Sequence, residues 1–93
     1  MNIILSALCN PTRLQLIQCI SQKPKSVSEM ISICGLSQSA VSQHLAKLRR
    51  AGLVITEKKG KTVYYHLAYP QLGDLSSKLQ RFIQEVGMWV SKK

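Results

Sequence analysis

The feature that most narrows what this chain can become is a pair of helical patterns separated by one glycine, in "SVSEMISICGLSQSAVSQHLAKLRRAGLV", Ser26 to Val54. The first pattern opens on a capping box: the Ser26 hydroxyl takes the Glu29 amide while the Glu29 side chain reaches back. Met30, Ile31 and Ile33 follow, and Gly35 suits the left-handed position after a helix end. Ser37 then caps a longer pattern with Val41, Leu45 and Leu48 on one face, continued by Ala51 and ended by Gly52. A short helix and a long one joined by a tight turn containing glycine make a helix-turn-helix.

The flanking segments extend this arrangement. In "NPTR", Asn10 is a good N-cap and Pro11 suits the first helical position, where its missing N–H costs nothing. A helix over about Pro11 to Ser21 then carries Leu14, Leu16, Ile17 and Ile20, and "SQKPK" stops it. Ile3, Ile4, Leu5 and Leu8 suggest a short helix within Met1 to Cys9. After Gly52 the period changes: Val54, Ile55 and Thr56, then Thr62, Val63, Tyr64 and Tyr65, are strand formers around the turn "KKGK". This predicts a two-stranded hairpin with a basic tip, one of the two tyrosines facing the core and the other solvent. From Pro70 to Val90 the apolar residues Leu72, Leu75, Leu79, Phe82, Val86 and Trp89 alternate spacings of three and four, a heptad-like seam.

The fold expected is mainly α with a small β-hairpin: a winged helix-turn-helix of four helices, two strands and a last helix. The whole chain, 1–93, makes one domain, with residues 1–9 and 70–90 as dimerisation helices. A terminal helix near 30 Å long outruns the core that a chain this small can build. Its excess apolar surface, including Ile83, Trp89 and Val90, needs another cover, and Ile3, Ile4 and Leu5 raise the same demand. The interface expected is Ile3, Ile4, Leu5, Leu75, Leu79, Phe82, Val86 and Trp89; the competing reading is that the seam only caps its own subunit's core.

Charge says what such a fold would meet. Thirteen Lys and Arg against four acids give a net charge of +9, which biases the partner toward a polyanion. Six of the cations (Lys47, Arg49, Arg50, Lys58, Lys59, Lys61) lie between Lys47 and Lys61, beside a single acid, Glu57. The front of the long helix is nonetheless uncharged, presenting Ser37, Gln38, Ser39, Ser42, Gln43 and His44. Cations attract phosphates whatever the sequence, whereas amides and hydroxyls can read base edges. The helix therefore divides the work: its front suits the floor of a DNA major groove, while Lys47, Arg49 and Arg50 suit a phosphate strand. Lys58, Lys59 and Lys61 at the hairpin tip would neutralise phosphates beside that groove. A solvated face touching nothing is the rival reading, and the co-occurrence of turn, helix and basic hairpin in this order weighs against it. His44 stands between a DNA contact and a surface hydrogen bond, and His66 reads as structural.

Other classes find little support. No nucleophile–base pair, phosphate-cradling glycine loop or carboxylate pair suggests an enzyme, and no cofactor is implied. No fully apolar run is longer than Ile3 to Leu5, far too short to span a bilayer, and "MNIILSALC" is a poor signal peptide. A cytoplasmic location is expected, with double-stranded DNA and a second copy of the chain as partners and no membrane. The three cysteines, Cys9, Cys19 and Cys34, cannot all pair within one chain and lack zinc-site spacing. They read first as small apolar core filler, with thiol sensing or an intersubunit disulfide as the open alternative.

"ALCNPTRLQLI", "LSQSAVSQHLAKLRRAGLV" and "GKTVYYHL", in that order, resemble the ArsR/SmtB-type winged helix-turn-helix repressors over about residues 5 to 69. The resemblance implies a homodimer joined by its first and last helices. It also implies a repressor whose fourth helix enters the major groove of an inverted repeat and is released by an inducer. The inducer sites of that family are incomplete here. Metal-sensing members carry Cys-Val-Cys where this chain has Ser26-Val27-Ser28, and hydroxyls are poor ligands for a soft metal. The last helix offers Asp74 and Glu85 without a histidine for the other familiar metal site. Cys19 lies near the thiol-sensing position of the second helix, without a cysteine partner on the last. No metal site is expected, and the inducer is left unnamed. The function expected is a sequence-specific duplex-DNA-binding transcriptional regulator, a homodimeric repressor. The alternative is an architectural winged-helix protein that coats DNA without an operator.

Overall fold

Local signals set nearly every element boundary. The computed structural model describes residues 2–91, with helices α1 (Ile3–Leu8), α2 (Pro11–Ser21), α3 (Val27–Cys34) and α4 (Gln38–Arg50), strands β1 (Val54–Lys59) and β2 (Thr62–Leu67), and helix α5 (Gln71–Ser91). The side chains of Cys34 and of residues 88–91 lie outside the description, Trp89 and Val90 among them. Asn10 Oδ1 accepts from the amides of Thr12 and Arg13 at 2.9 and 3.1 Å, filling two of the donors a helix start leaves open. The expected capping box is formed, with Glu29 N–H donating to Ser26 Oγ at 3.2 Å and Ser26 N–H to Glu29 Oε1 at 3.0 Å. Gly35 takes φ 69° to end α3, and Ser37 Oγ accepts from Ala40 N–H at 3.2 Å to start α4. The last helix begins at Gln71, one residue after Pro70.

The core forms around α2, which touches α1, α3, α4, α5 and β2. Leu14, Leu16 and Ile17 of α2, Met30 of α3 and Val41, Leu45 and Leu48 of α4 are all buried. Where α2 meets α5, a Cβ on Gly73 would lie 2.7 Å from Ser21 Cβ, so the two helices approach through glycine. Ser76, one turn on, buries its hydroxyl by donating to Gly73 O at 3.0 Å.

The β1–β2 pair is antiparallel, with Val54 opposite Leu67 and Lys59 opposite Thr62. Lys25 adds one residue of a third strand: its N–H donates to Tyr65 O at 3.3 Å, and Tyr65 N–H donates to Lys25 O at 2.8 Å. Both tyrosines are half-buried, rather than one in and one out. Tyr65 packs on the core, while Tyr64 lies under the Lys59 ammonium, 6.0 Å from its ring centre.

Two further readings are revised by the packing. Cys9 follows the end of α1 and is exposed, so it does not fill the core, whereas Cys19 is half-buried against it. Along α5, Leu72 is buried and Leu79 is half-buried against the chain's own core, so this part of the seam covers its own subunit. Leu75, Phe82, Ile83 and Val86 are exposed, as are Ile3, Ile4 and Leu5. The helix projects from the core and gives the chain extents of 51 × 27 × 22 Å. Among the described residues no helix is long and apolar enough to cross a membrane.

Candidate nucleic-acid interface

Helix α4 presents a polar face to solvent because its apolar face is fully used. With Val41, Leu45 and Leu48 buried, the helical period turns Ser39, Gln43, Ala46 and Arg50 outward. Gln38, Ser42 and Arg49 fall on the flank nearer the hairpin, and His44 and Lys47 on the opposite flank. Ser37, Gln38, Ser39, Ser42, Gln43, Arg49 and Arg50 are exposed, while His44 and Lys47 are half-buried. A shallow groove of about 460 Å³ runs between α4 and the sheet, lined by Ser42, Leu45, Ala46, Arg49, Arg50 and Tyr65. Lys47, Arg49 and Arg50 crowd the last turn of α4, where cations also complement the negative end of the helix dipole.

The wing's three lysines are not equivalent. The turn is Gly60–Lys61, with Gly60 at φ 63° in the first position, where a type II′ turn needs glycine. Lys61 is therefore the tip, and Lys58 and Lys59 belong to β1 on opposite faces. Lys59 Nζ sits 3.4 Å from Glu57 Oε1, which partly neutralises it. Lys58 shares its face with Val63 and Tyr65. His66 faces the same carboxylate as Lys59, its Nε2 3.5 Å from Glu57 Oε1.

Sequence reasoning missed Arg13. Its side chain is buried, and no carboxylate meets it among the described residues. Nε donates to Ala7 O at 2.6 Å and Nη2 to Ser6 O at 3.0 Å, satisfying carbonyls that the end of α1 leaves open. The α1 helix has no cation in its own last turn, so Arg13 supplies one from α2. Its Nη1 lies 3.4 Å from Nδ1 of His44, on the recognition helix. Burial, then the nearby charges of Arg13 and Lys47, hold the His44 imidazole below its usual pKa, favouring the neutral ring. The available signal was periodicity: Arg13 shares the buried stripe of Ile17 and Ile20 at helical spacing.

Among the described residues, no three His, Cys, Asp or Glu side chains gather as a metal site. Ser26, at the position of the first family thiolate, is buried and commits its hydroxyl to capping α3.

An uncharged helix front, cations at its rear and a basic wing, carried on a helix-turn-helix, define a winged-helix DNA-binding protein. The family model described as "Bacterial regulatory protein, arsR family" matches residues 10–56. This chain belongs to the ArsR family of DNA-binding transcriptional regulators. It is 43% identical over 79 residues to the transcriptional activator HlyU of Vibrio cholerae, a match covering 85% of this chain and 73% of the relative. It is 44% identical over 61 residues to the nodulation protein NolR of Rhizobium meliloti, covering 66% of this chain and 50% of that one. Among solved structures, HlyU from Vibrio vulnificus superposes with a TM-score of 0.73 at 41% identity, over 86% of this chain and 83% of that one. NolR from Sinorhizobium fredii gives a TM-score of 0.75 at 35% identity, over 86% and 80%.

Proposed function

We propose that two copies of this chain, joined through α1 and α5, regulate transcription from the cytoplasm by reading a near-palindromic operator. Residues 2–9 and 70–90 form the dimerisation surface, with Ile3, Ile4, Leu5, Leu75, Phe82 and Val86 at its centre. Gln38, Ser39, Ser42 and Gln43 read base edges. Lys47, Arg49 and Arg50 hold phosphates at the rear of the helix, and Lys58 and Lys61 hold them from the wing. The observation that carries the reading is the uncharged, outward front of α4 bounded on one side by the Arg49–Arg50 groove. Two recognition helices related by a two-fold axis would engage half-sites about one helical turn apart. Bound over a promoter, such a dimer represses by occupying it. Operator position sets the sign, and the relative HlyU is named a transcriptional activator.

The test is a fluorescence-anisotropy titration of the duplex upstream of the chain's own gene, beside a shuffled duplex, across a salt series. Gln43→Ala should reduce discrimination between the two with little change in salt slope. Lys61→Ala should weaken both, and a dimer loses two phosphate contacts, so the slope should become shallower by about 1.8, against about 0.9 for a monomer. Equal binding of both duplexes by the unaltered protein at physiological salt would favour the architectural reading.

A further inference from the structure

We propose that Arg13 is a positioning residue that fixes the recognition helix α4 against α1, with neutral His44 as its acceptor, so that protonating His44 loosens DNA binding. The inference rests on α4 being the DNA-reading helix, and it gives His44 a role other than touching DNA. Three facts carry it. Arg13 is buried, at 7% exposure, on the central helix of the fold. Its guanidinium reaches two carbonyls of α1 and the imidazole of α4, so one side chain joins three elements. A guanidinium only donates, so Nδ1 of His44 must be the acceptor, which requires the neutral ring with its proton on Nε2.

Protonation would place a second cation beside Arg13 and remove the only lone pair that Nδ1 offers. Among the described residues, the groups around the ring leave nothing to absorb that charge. Arg13 approaches from α2 and Lys47 from α4 itself, and both oppose a positive imidazole. From α1, Ile3–Leu8 contributes the Ser6 and Ala7 carbonyls to the guanidinium and no titratable side chain. The acids of the other elements packed on α4 are engaged elsewhere: Glu29 with Ser26, and Glu57 with Lys59. Acidification should therefore release Arg13 from α4 while it keeps its hold on α1. The recognition helix then loses its tether to the first helix, which the proposed dimer surface includes.

The direction of the pH effect separates this reading from direct contact. A histidine that touches phosphate binds a proton along with DNA, so acid strengthens the complex; a histidine that must accept from Arg13 gives the opposite sign. The experiment measures affinity for the operator duplex by anisotropy from pH 8 to 4.5 at fixed ionic strength, because the His44 pKa lies below its ordinary 6.5. It uses a His66→Gln background, because His66 is the chain's other histidine. Losing one hydrogen bond to a charged group in each protomer predicts a fall of about tenfold per half-site, about 100-fold for the dimer, once the ring is protonated. In His44→Asn, whose Oδ1 stands near the Nδ1 position and cannot be protonated, the acid-side fall should disappear. Arg13→Lys keeps the charge but not the fork, and should weaken binding at every pH. Binding that strengthens in acid, or a profile that is flat in the parent and unchanged in His44→Asn, overturns the proposal. Hydrogen exchange without DNA gives a second readout: Arg13→Lys and low pH should each lower the protection of α4 amides relative to their intrinsic exchange rates at the same pH. Unchanged protection refutes the tether even if the parent binds no operator, an outcome that would sink the regulatory reading separately.

Discussion

Phe82 and Ile33 offer a matched pair for testing the proposed dimer surface, since each is 62% exposed in the single chain. Phe82 lies on the projecting part of α5 with Val86 and Ile83 around it, whereas Ile33 lies on α3. Fully burying a phenylalanine side chain is worth up to about 3 kcal/mol, so covering the exposed part of Phe82 is worth about 1.5 to 2 kcal/mol. A two-fold interface uses each residue twice. Phe82→Ala should therefore cost the dimer about 3 kcal/mol, which at 1.4 kcal/mol per decade is roughly a 100-fold rise in its dissociation constant. Alanine is the best helix former, so α5 itself should persist. Sedimentation equilibrium or mass photometry over a concentration series reads the constant, and circular dichroism checks the fold. Ile33→Ala should leave the constant within about twofold. A Phe82→Ala protein that dimerises like the parent, or an Ile33→Ala protein that loses the dimer, would refute the assignment of α5.

Two perturbations of the single chain follow from its packing and its caps. Gly73→Ala would push a Cβ to 2.7 Å from Ser21 Cβ, so the α2–α5 contact must open; a loss of about 1 to 3 kcal/mol is expected in chemical denaturation. Ser21→Gly in the same chain should recover part of it. Glu29 has its pKa lowered from 4.5, chiefly by the Ser26 backbone hydrogen bond, so its contribution is present above pH 4.5 and is lost as pH falls through the lower folded value. Melting curves from pH 7 to 3 should therefore show Glu29→Gln converging on the parent at the acid end, and parallel curves would count against a charged capping box.

What the sequence made legible was the local part of the fold. Asn10, Ser26 and Ser37 cap helices through amides two or three residues away, and Gly35, Gly52 and Gly60 all take positive φ where a turn or helix end requires it. Such signals depend on neighbours in the chain and survive without tertiary knowledge. Arg13 and Lys25 were invisible for the opposite reason. A cation in a basic chain reads as surface, and only the meeting of α1, α2 and α4, or of residue 25 with β2, shows carbonyls waiting for it. The heptad seam of α5 was found, but its period cannot say which residues meet the chain's own core. Leu72 and Leu79 do so, and Leu75 and Phe82 do not. The wing shows the same limit: three lysines look alike in "KKGK", yet Glu57 lies against one of them.

The few acids explain how a net charge of +9 becomes directional. Glu29 is spent on the α3 cap, Asp74 pairs with Lys78 at 3.0 Å within α5, and Glu57 lies between Lys59 and His66. The buried cations Arg13 and Lys25 are met by backbone carbonyls instead, at Ser6 and Ala7 and at Cys19 and Lys23. Carbonyl dipoles can hold a buried cation without cancelling its charge at long range, so using them leaves the positive field intact. Among the described residues, Lys47, Arg49, Arg50, Lys58 and Lys61 have no carboxylate partner. Their charge is concentrated beside the neutral front of α4 rather than on it. In the proposed complex, attraction and reading are thereby separated in space: cations at the rear and on the wing would draw the duplex in, and the amides and hydroxyls would be left to select among base edges.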